Sequence, residues 1–342
     1  VENQPTNGIL EDFRIDFWEA WHQLPNKGFF TVLLVAWLAL FQFVGNVTLG
    51  YIHTSSLLGW MWEAYRANPD HSGTDDAHGK YILLVVLGLF WWKRKKLLSL
   101  PLRPWLPALG IIAFALFTHM VGYMGQQPKL SIVALFVGIY GLMGLAWGPA
   151  FLKESIFPMC LLAFCIPLGW AAQGITFPLR LIVCRIVDVV CGYLLQIDVR
   201  VEGTAIMDPS GRFQYEVAAA CSGMRSLIAT VAIGVIYAMV SFRSWWRRGL
   251  LVASTVPLAV LGNVVRMLTI VIAADLGGQE WGNAVHDGGP VGIWSLLPYI
   301  PAFGGLMLLG HWLREPESPA KIETSRDSAP LTPPVSGAPV HP

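Results

Sequence analysis

Charge is what this sequence most lacks. Only 13% of its residues are Asp, Glu, Lys or Arg, about half the share of a typical soluble chain, while 54% are hydrophobic. That balance excludes an ordinary water-exposed domain. The net charge is +1, and no basic tract is long enough to neutralise a run of phosphates, so nucleic acid is excluded as a partner. The five cysteines, Cys160, Cys165, Cys184, Cys191 and Cys221, include no C-x-x-C pair and no zinc-like spacing with histidine. No metal and no cofactor is expected. There is no internal repeat. No cleavable signal peptide is expected either, because the first apolar run starts only near Phe29.

What the chain does have is a series of apolar runs: 29–49, 81–92, 105–123, 130–147, 155–175, 221–242, 249–275 and 290–313. About 20 apolar residues suffice to cross a bilayer. The expected fold is therefore an all-α polytopic integral membrane protein with about eight transmembrane helices. Residues 1–28 carry Phe13, Phe17, Trp18 and Trp21 at amphipathic spacing and are read as a cytoplasmic segment lying at the membrane interface. Residues 29–313 form the transmembrane domain. Residues 314–342, rich in Pro and Ser, have too little apolar surface to fold and are read as a disordered cytoplasmic tail.

Three basic clusters orient the spans. Lys93–Lys96, then Arg243, Arg247 and Arg248, then Arg314 follow the second, sixth and eighth spans. Alternation puts all three on one side, and the positive-inside rule makes that side cytoplasmic. Residues 50–80, 171–220 and 276–289 then lie outside. Within the middle segment, 178–197 has apolar residues at helical spacing, with Arg180, Arg185 and Asp188 between them. It is read as a small extracytoplasmic helix lying on the outer surface or over the bundle mouth. Residues 199–217 read as a β-hairpin around Asp208-Pro209-Ser210-Gly211, leading directly into Cys221.

Cys221 opens the sixth span. A helix N-terminus favours thiolate, and Arg225, four residues on, adds a positive charge on the same face. A free cysteine in apolar surroundings is also often just a small buried hydrophobe. Asn263 and Arg266 share one face inside the seventh span. Arginine at that depth is costly and usually faces a wet cavity or a partner; the alternative is snorkelling or pairing with Asp275. His286 lies in the turn entering the last span, where a lone loop histidine carries little weight. Together the three elements supply the parts of a thiol acyl-transfer site: nucleophile, cation and acid–base.

Ala219-Ala220-Cys221-Ser222-Gly223-Met224-Arg225-Ser226, then Asn263-Val264-Val265-Arg266, then His286 resemble the signature of the exosortase/archaeosortase family. The resemblance covers residues 30–313. It is specific in these three blocks, while the first five spans match only in hydropathy. His286, where the archaeal branch has arginine, places the chain nearer the bacterial exosortases. The resemblance implies an exosortase-like cysteine peptidase or transpeptidase of the bacterial inner membrane. Its site would lie on the extracytoplasmic face. Its partners would be exported proteins whose C-terminal sorting signal joins a short motif such as Pro-Glu-Pro, a transmembrane helix and a basic cluster. It implies Cys221 as nucleophile, Arg266 as charge stabiliser and His286 as base, with Arg225 auxiliary. Asn263, beside Arg266, is read as substrate-binding. A thioester would be resolved by water or by transfer to an amine or lipid acceptor. Two other readings remain open: a transporter or assembly subunit for polysaccharide export, and a membrane thiol-oxidoreductase.

Overall fold

The computed structural model describes residues 9–66, 76–167, 171–216, 223–289 and 293–314. The chain is mostly helical. Helix α1 (Ile9–Gln23) leaves Phe17 and Trp18 exposed and meets α2 (Lys27–Phe43) at 98°, where Asn26 takes a left-handed φ of 54°. A helix α3 (Leu57–Arg66) occupies part of the segment 50–80 that joins the first two apolar runs. Its local signals are a Ser56 side chain accepting the Gly59 N–H at 2.8 Å, which caps the helix, and Leu57, Met61 and Tyr65 buried on one face.

Helix α4 (Gly79–Trp92) stops at Lys93, and the short α5 (Arg94–Leu98) follows. Lys93 and Lys96 both pair with Glu154 at 2.7 Å. Those pairs join two segments that the alternation of spans assigns to one side. Arg94 reaches back to Asp16 at 2.6 Å, and Phe13 and Phe17 lie against Trp91, so α1 is fastened to the same end.

Helices α6 (Ala108–Met124) and α7 (Pro128–Trp147) form a close antiparallel pair, with α2 against α7. Their core is aromatic: Phe30, Trp37, Phe41 and Trp147 are all buried. The indole N–H of Trp37 donates to the Leu135 carbonyl at 3.0 Å and that of Trp147 to the Pro25 carbonyl at 2.8 Å. Each large apolar ring is thereby buried with its one polar atom satisfied. Helix α8 (Pro149–Leu161) follows, and 3-10 geometry then takes over at Leu162–Cys165. The run 155–175 is thus broken rather than one continuous helix.

The second half begins with α9 (Ala171–Val190). It packs along α11 (Trp245–His286) instead of lying flat on a surface. Val183, Val187 and Cys191 share a buried core with Val264, Met267, Val271 and Ala274. Of the apolar stripe read from the sequence, Val183 and Val187 are covered by another helix, while Ile182 and Ile186 stay exposed. A three-stranded antiparallel sheet follows, β1 (Arg200–Glu202), β2 (Ala205–Met207) and β3 (Gln214–Glu216) in that order, one strand more than the hairpin read above. Helix α10 (Gly223–Ser241), α11 and α12 (Tyr299–Trp312) complete the fold.

Among the described residues, two helices are long and apolar enough to cross a membrane, α7 and α11, or three if bent α1–α2 counts as one span. Helices α4 and α6 are shorter apolar helices, as is 230–241 within α10.

Candidate active site

The geometry turns on Gly278. Its φ of 73° and ψ of −173° break α11 into two helices, in a region of backbone space open essentially to glycine alone. After the break, residues 279–286 fold back along the segment they have just left. Gly282 lies against Ala274, close enough that a Cβ would fall 2.9 Å from the Ala274 methyl, and it also abuts the Tyr215 hydroxyl. The segment 276–289 is therefore largely helical, His286 ends that helix instead of lying in a turn, and the reversal carries it back down the face of α11.

Arg266 and His286 meet as a result. The Arg266 Nη2 donates to the His286 carbonyl oxygen at 3.2 Å. Arg266 sits about 13 Å below Asp275 along the helix, at 1.5 Å per residue. Asp275, the alternative partner considered for Arg266, is instead bound by Arg212 at 3.1 Å. His286 Nδ1 lies 2.9 Å from Asp287 Oδ1, and the ring of Tyr215 faces the imidazole at 6.4 Å with a 23° interplanar angle.

The sheet is docked onto this reversed helix. Gln214 N–H donates to Gln279 Oε1 at 2.9 Å, the Tyr215 hydroxyl donates to the Gln279 carbonyl at 3.0 Å, and Gln279 Nε2 donates to Asn283 Oδ1 at 3.0 Å. Burial, followed by the negative charge of Asp287, pushes the Tyr215 phenol up from its ordinary value. At the far edge, Arg212 bridges Asp275 and Asp208 and so ties the β2–β3 turn to α11. The Ser210 hydroxyl and the Arg212 guanidinium hold the Asp208 carboxyl down at about 2.

Asn263, one turn below Arg266, is buried at 4% exposure. Across from it on α9 stand Thr176 and Arg180, both buried, and the three side chains border a void of about 20 Å³. A wider apolar groove of about 430 Å³ runs beside it between Ile182 and Ile186 on one helix and Val256 and Val264 on the other. Arg180 was read only as a polar break in an amphipathic stripe. No local pattern distinguishes a surface arginine from one buried against a neighbouring helix. Tyr215 and Asp287 were likewise not picked out as site residues.

Of the residues singled out from the sequence, Arg266, His286 and Asn263 are thus placed, the first two in contact. Cys221 lies outside the described residues. Arg225 is described only as backbone in the first turn of α10. The described cysteines, Cys160, Cys165, Cys184 and Cys191, are all free thiols, and the last three are buried. No group of three or more His, Cys, Asp or Glu able to hold a metal occurs among the described residues.

Long apolar helices, an arginine inside one of them and a histidine returned to that arginine by a helix reversal define an integral membrane protein with a polar site at a helix–sheet junction. The transmembrane exosortase family (Exosortase_EpsH) matches residues 70–298, and the chain belongs to that family. In general terms it is a membrane sorting transpeptidase that processes exported proteins. No curated protein and no solved structure matches the chain.

Proposed function

We propose that this chain is a cysteine peptidase or transpeptidase that cleaves exported proteins at a C-terminal sorting signal through a thioester on Cys221. The observation that carries the reading is the contact between Arg266 and His286. The Arg266 guanidinium reaches the main-chain carbonyl of His286, twenty positions on in sequence, and the His286 ring lies beside Tyr215 of β3. The thiolate attacks the scissile carbonyl, and Arg266, with Arg225 or helix-end amides, offsets the developing oxyanion charge. His286 takes the thiol proton and passes it to the leaving amine. Water, an amine or a lipid acceptor then resolves the thioester. Asn263 contributes to holding the substrate backbone.

The substrate signal is a PEP-CTERM-like motif followed by one transmembrane helix and a basic cluster. A substrate anchored by its own helix presents its motif at a fixed depth, and tethering supplies proximity that a free peptide lacks. The enzyme resides in the bacterial inner membrane with about eight spans and its site on the extracytoplasmic face. Residues 29–313 form the catalytic domain, 1–28 a cytoplasmic interfacial segment and 314–342 a cytoplasmic tail. A thiol-oxidoreductase fits less well, because Cys184 and Cys191 are both buried and unbridged.

Mass spectrometry of the purified protein after exposure to a tagged exported substrate tests the reading. A substrate fragment in thioester linkage to Cys221, absent from Cys221→Ala, is expected. Full processing by Cys221→Ala would overturn it.

A further inference from the structure

Asp287 has no part in the mechanism above, yet its carboxylate lies 2.9 Å from His286 Nδ1. An ionised carboxylate can only accept a hydrogen bond, so Nδ1 carries the proton in that contact. In a neutral imidazole, Nε2 is then the basic nitrogen. A second support comes from β3. The Tyr215 ring lies nearly parallel to the imidazole, and its own hydroxyl is tied to the Gln279 carbonyl. A third comes from α11, where Arg266 holds the His286 carbonyl. Ring plane, ring nitrogen and backbone are thus each held by a different group.

We propose that Asp287 is the positioning residue of His286, fixing the imidazole tautomer and orientation so that Nε2 is the nitrogen that exchanges protons during acyl transfer. This rests on the reading of His286 as the acid–base group. In the acylation step the Cys221 thiol proton moves to Nε2, leaving an imidazolium paired with an ionised Asp287. The S–C bond forms, the C–N bond breaks, and the proton passes from Nε2 to the departing amine. Asp287 stays ionised throughout, so no further co-reactant is needed.

Charge around the ring sets the size of the effect. Charged or titratable groups that meet His286 include Asp287 on its own turn, Tyr215 from the sheet and Arg266, whose guanidinium reaches the His286 main chain from the facing helix. The Asp287 side chain is 76% exposed and His286 30%, so water screens the pair. The expected effect is about tenfold, well short of the roughly 10⁴ that a buried triad aspartate supplies.

The test uses the full chain in lipid nanodiscs and iodoacetamide as the probe, with alkylation of the Cys221 peptide followed by mass spectrometry from pH 4 to 10. Asp287→Asn keeps the side-chain shape and an acceptor oxygen but removes the charge. It should lower the alkylation rate near neutrality about tenfold and move the imidazole-dependent inflection to lower pH, because the imidazolium loses its counter-charge. Asp287→Glu should restore part of both. Histidine ¹⁵N spectra, with His286→Gln used to assign the signal, should show the Nδ1–H tautomer in the parent and a tautomer mixture in Asp287→Asn. A purely structural role would alter neither inflection nor tautomer. Superimposable profiles and spectra for parent and Asp287→Asn would overturn the proposal. If His286→Gln also leaves the alkylation profile unchanged, the acid–base reading fails with it. If His286→Gln changes the profile while Asp287→Asn does not, only the role of Asp287 is lost.

Discussion

The two halves of the molecule bury their polar atoms for different ends. In the first half, through α8, buried polar side chains tie one helix to the backbone of another segment. Trp37 and Trp147 each reach a backbone carbonyl, and His119 is held between Ser131 and the Val44 carbonyl. Such pairing satisfies groups that would otherwise be costly in an apolar interior. In the second half, polar and charged residues from the two arms of α11 and from the sheet are drawn to one place. Arg266 comes from α11, His286 from its reversed end, and Tyr215 from the sheet. The family match, 70–298, takes in every candidate site residue and leaves α1, α2 and α3 outside. Packing therefore dominates the first half, and the proposed chemistry lies in the second. Substitutions should separate the two.

The largest effect should come from Cys221→Ala, which should accumulate in membranes like the parent and process no substrate. Detectable turnover would remove the thiol from the mechanism. Next is Arg266→Lys. Lysine keeps the charge but not the planar fork, and losing one oxyanion donor costs about 10²–10³ in rate. Uncleaved substrate should build up in cells holding equal amounts of each variant. Processing at the parental rate would reduce Arg266 to an anchor.

Trp37→Ala should show the opposite profile. Removing a buried ring of that size costs about 3–5 kcal/mol of stability, read as a lower thermal midpoint in detergent, while turnover per folded molecule stays near the parental value. A matching loss of turnover would contradict the division between halves. Gly278→Ala tests the junction. The strained backbone should cost about 1–3 kcal/mol, and the reversed helix should loosen, so turnover should fall more than stability. Increased hydrogen exchange across 279–286 checks that directly.

The smallest effect concerns the Arg212 bridge. The Asp208 carboxyl sits at about 2, below its ordinary value, because Ser210 and Arg212 favour its charged form. Its stabilisation is therefore fully present above the ordinary carboxylate range and lost as pH falls from about 4 through about 2. Amide exchange over 205–216 should rise across that window in the parent. It should be flatter with pH in Asp208→Asn. Equal pH dependence in both would mean the bridge does not hold the sheet.

Much of this organisation was legible without coordinates. Apolar runs long enough to span a bilayer, an amphipathic start rich in aromatics and a strand-forming segment around Asp208-Pro209-Ser210-Gly211 all follow from local composition and periodicity. So does the shared face of Asn263 and Arg266, because three residues along a helix always return to one side. Other features were not legible. Helix α3 was hidden inside the segment that joins the first two apolar runs, although its Ser56 cap was a usable signal. The stripe on α9 was recognised, but a stripe does not say whether water, lipid or another helix covers it.

The sequence by itself determined that this is a membrane protein and which of its polar residues share a helix face, because those properties depend on neighbours a few positions away. Only the tertiary structure decided that Arg266 touches His286, that Tyr215 and Asp287 flank the same imidazole, and that Arg180 is buried opposite Asn263. The first two rest on the chain reversing at Gly278, the third on how α9 leans against α11. A reversal sets the distance between residues far apart in the chain through one pair of backbone angles, and no hydrophobic period records those angles. Glycine permits them; the packing of Gly282 against Ala274 and Tyr215 selects them.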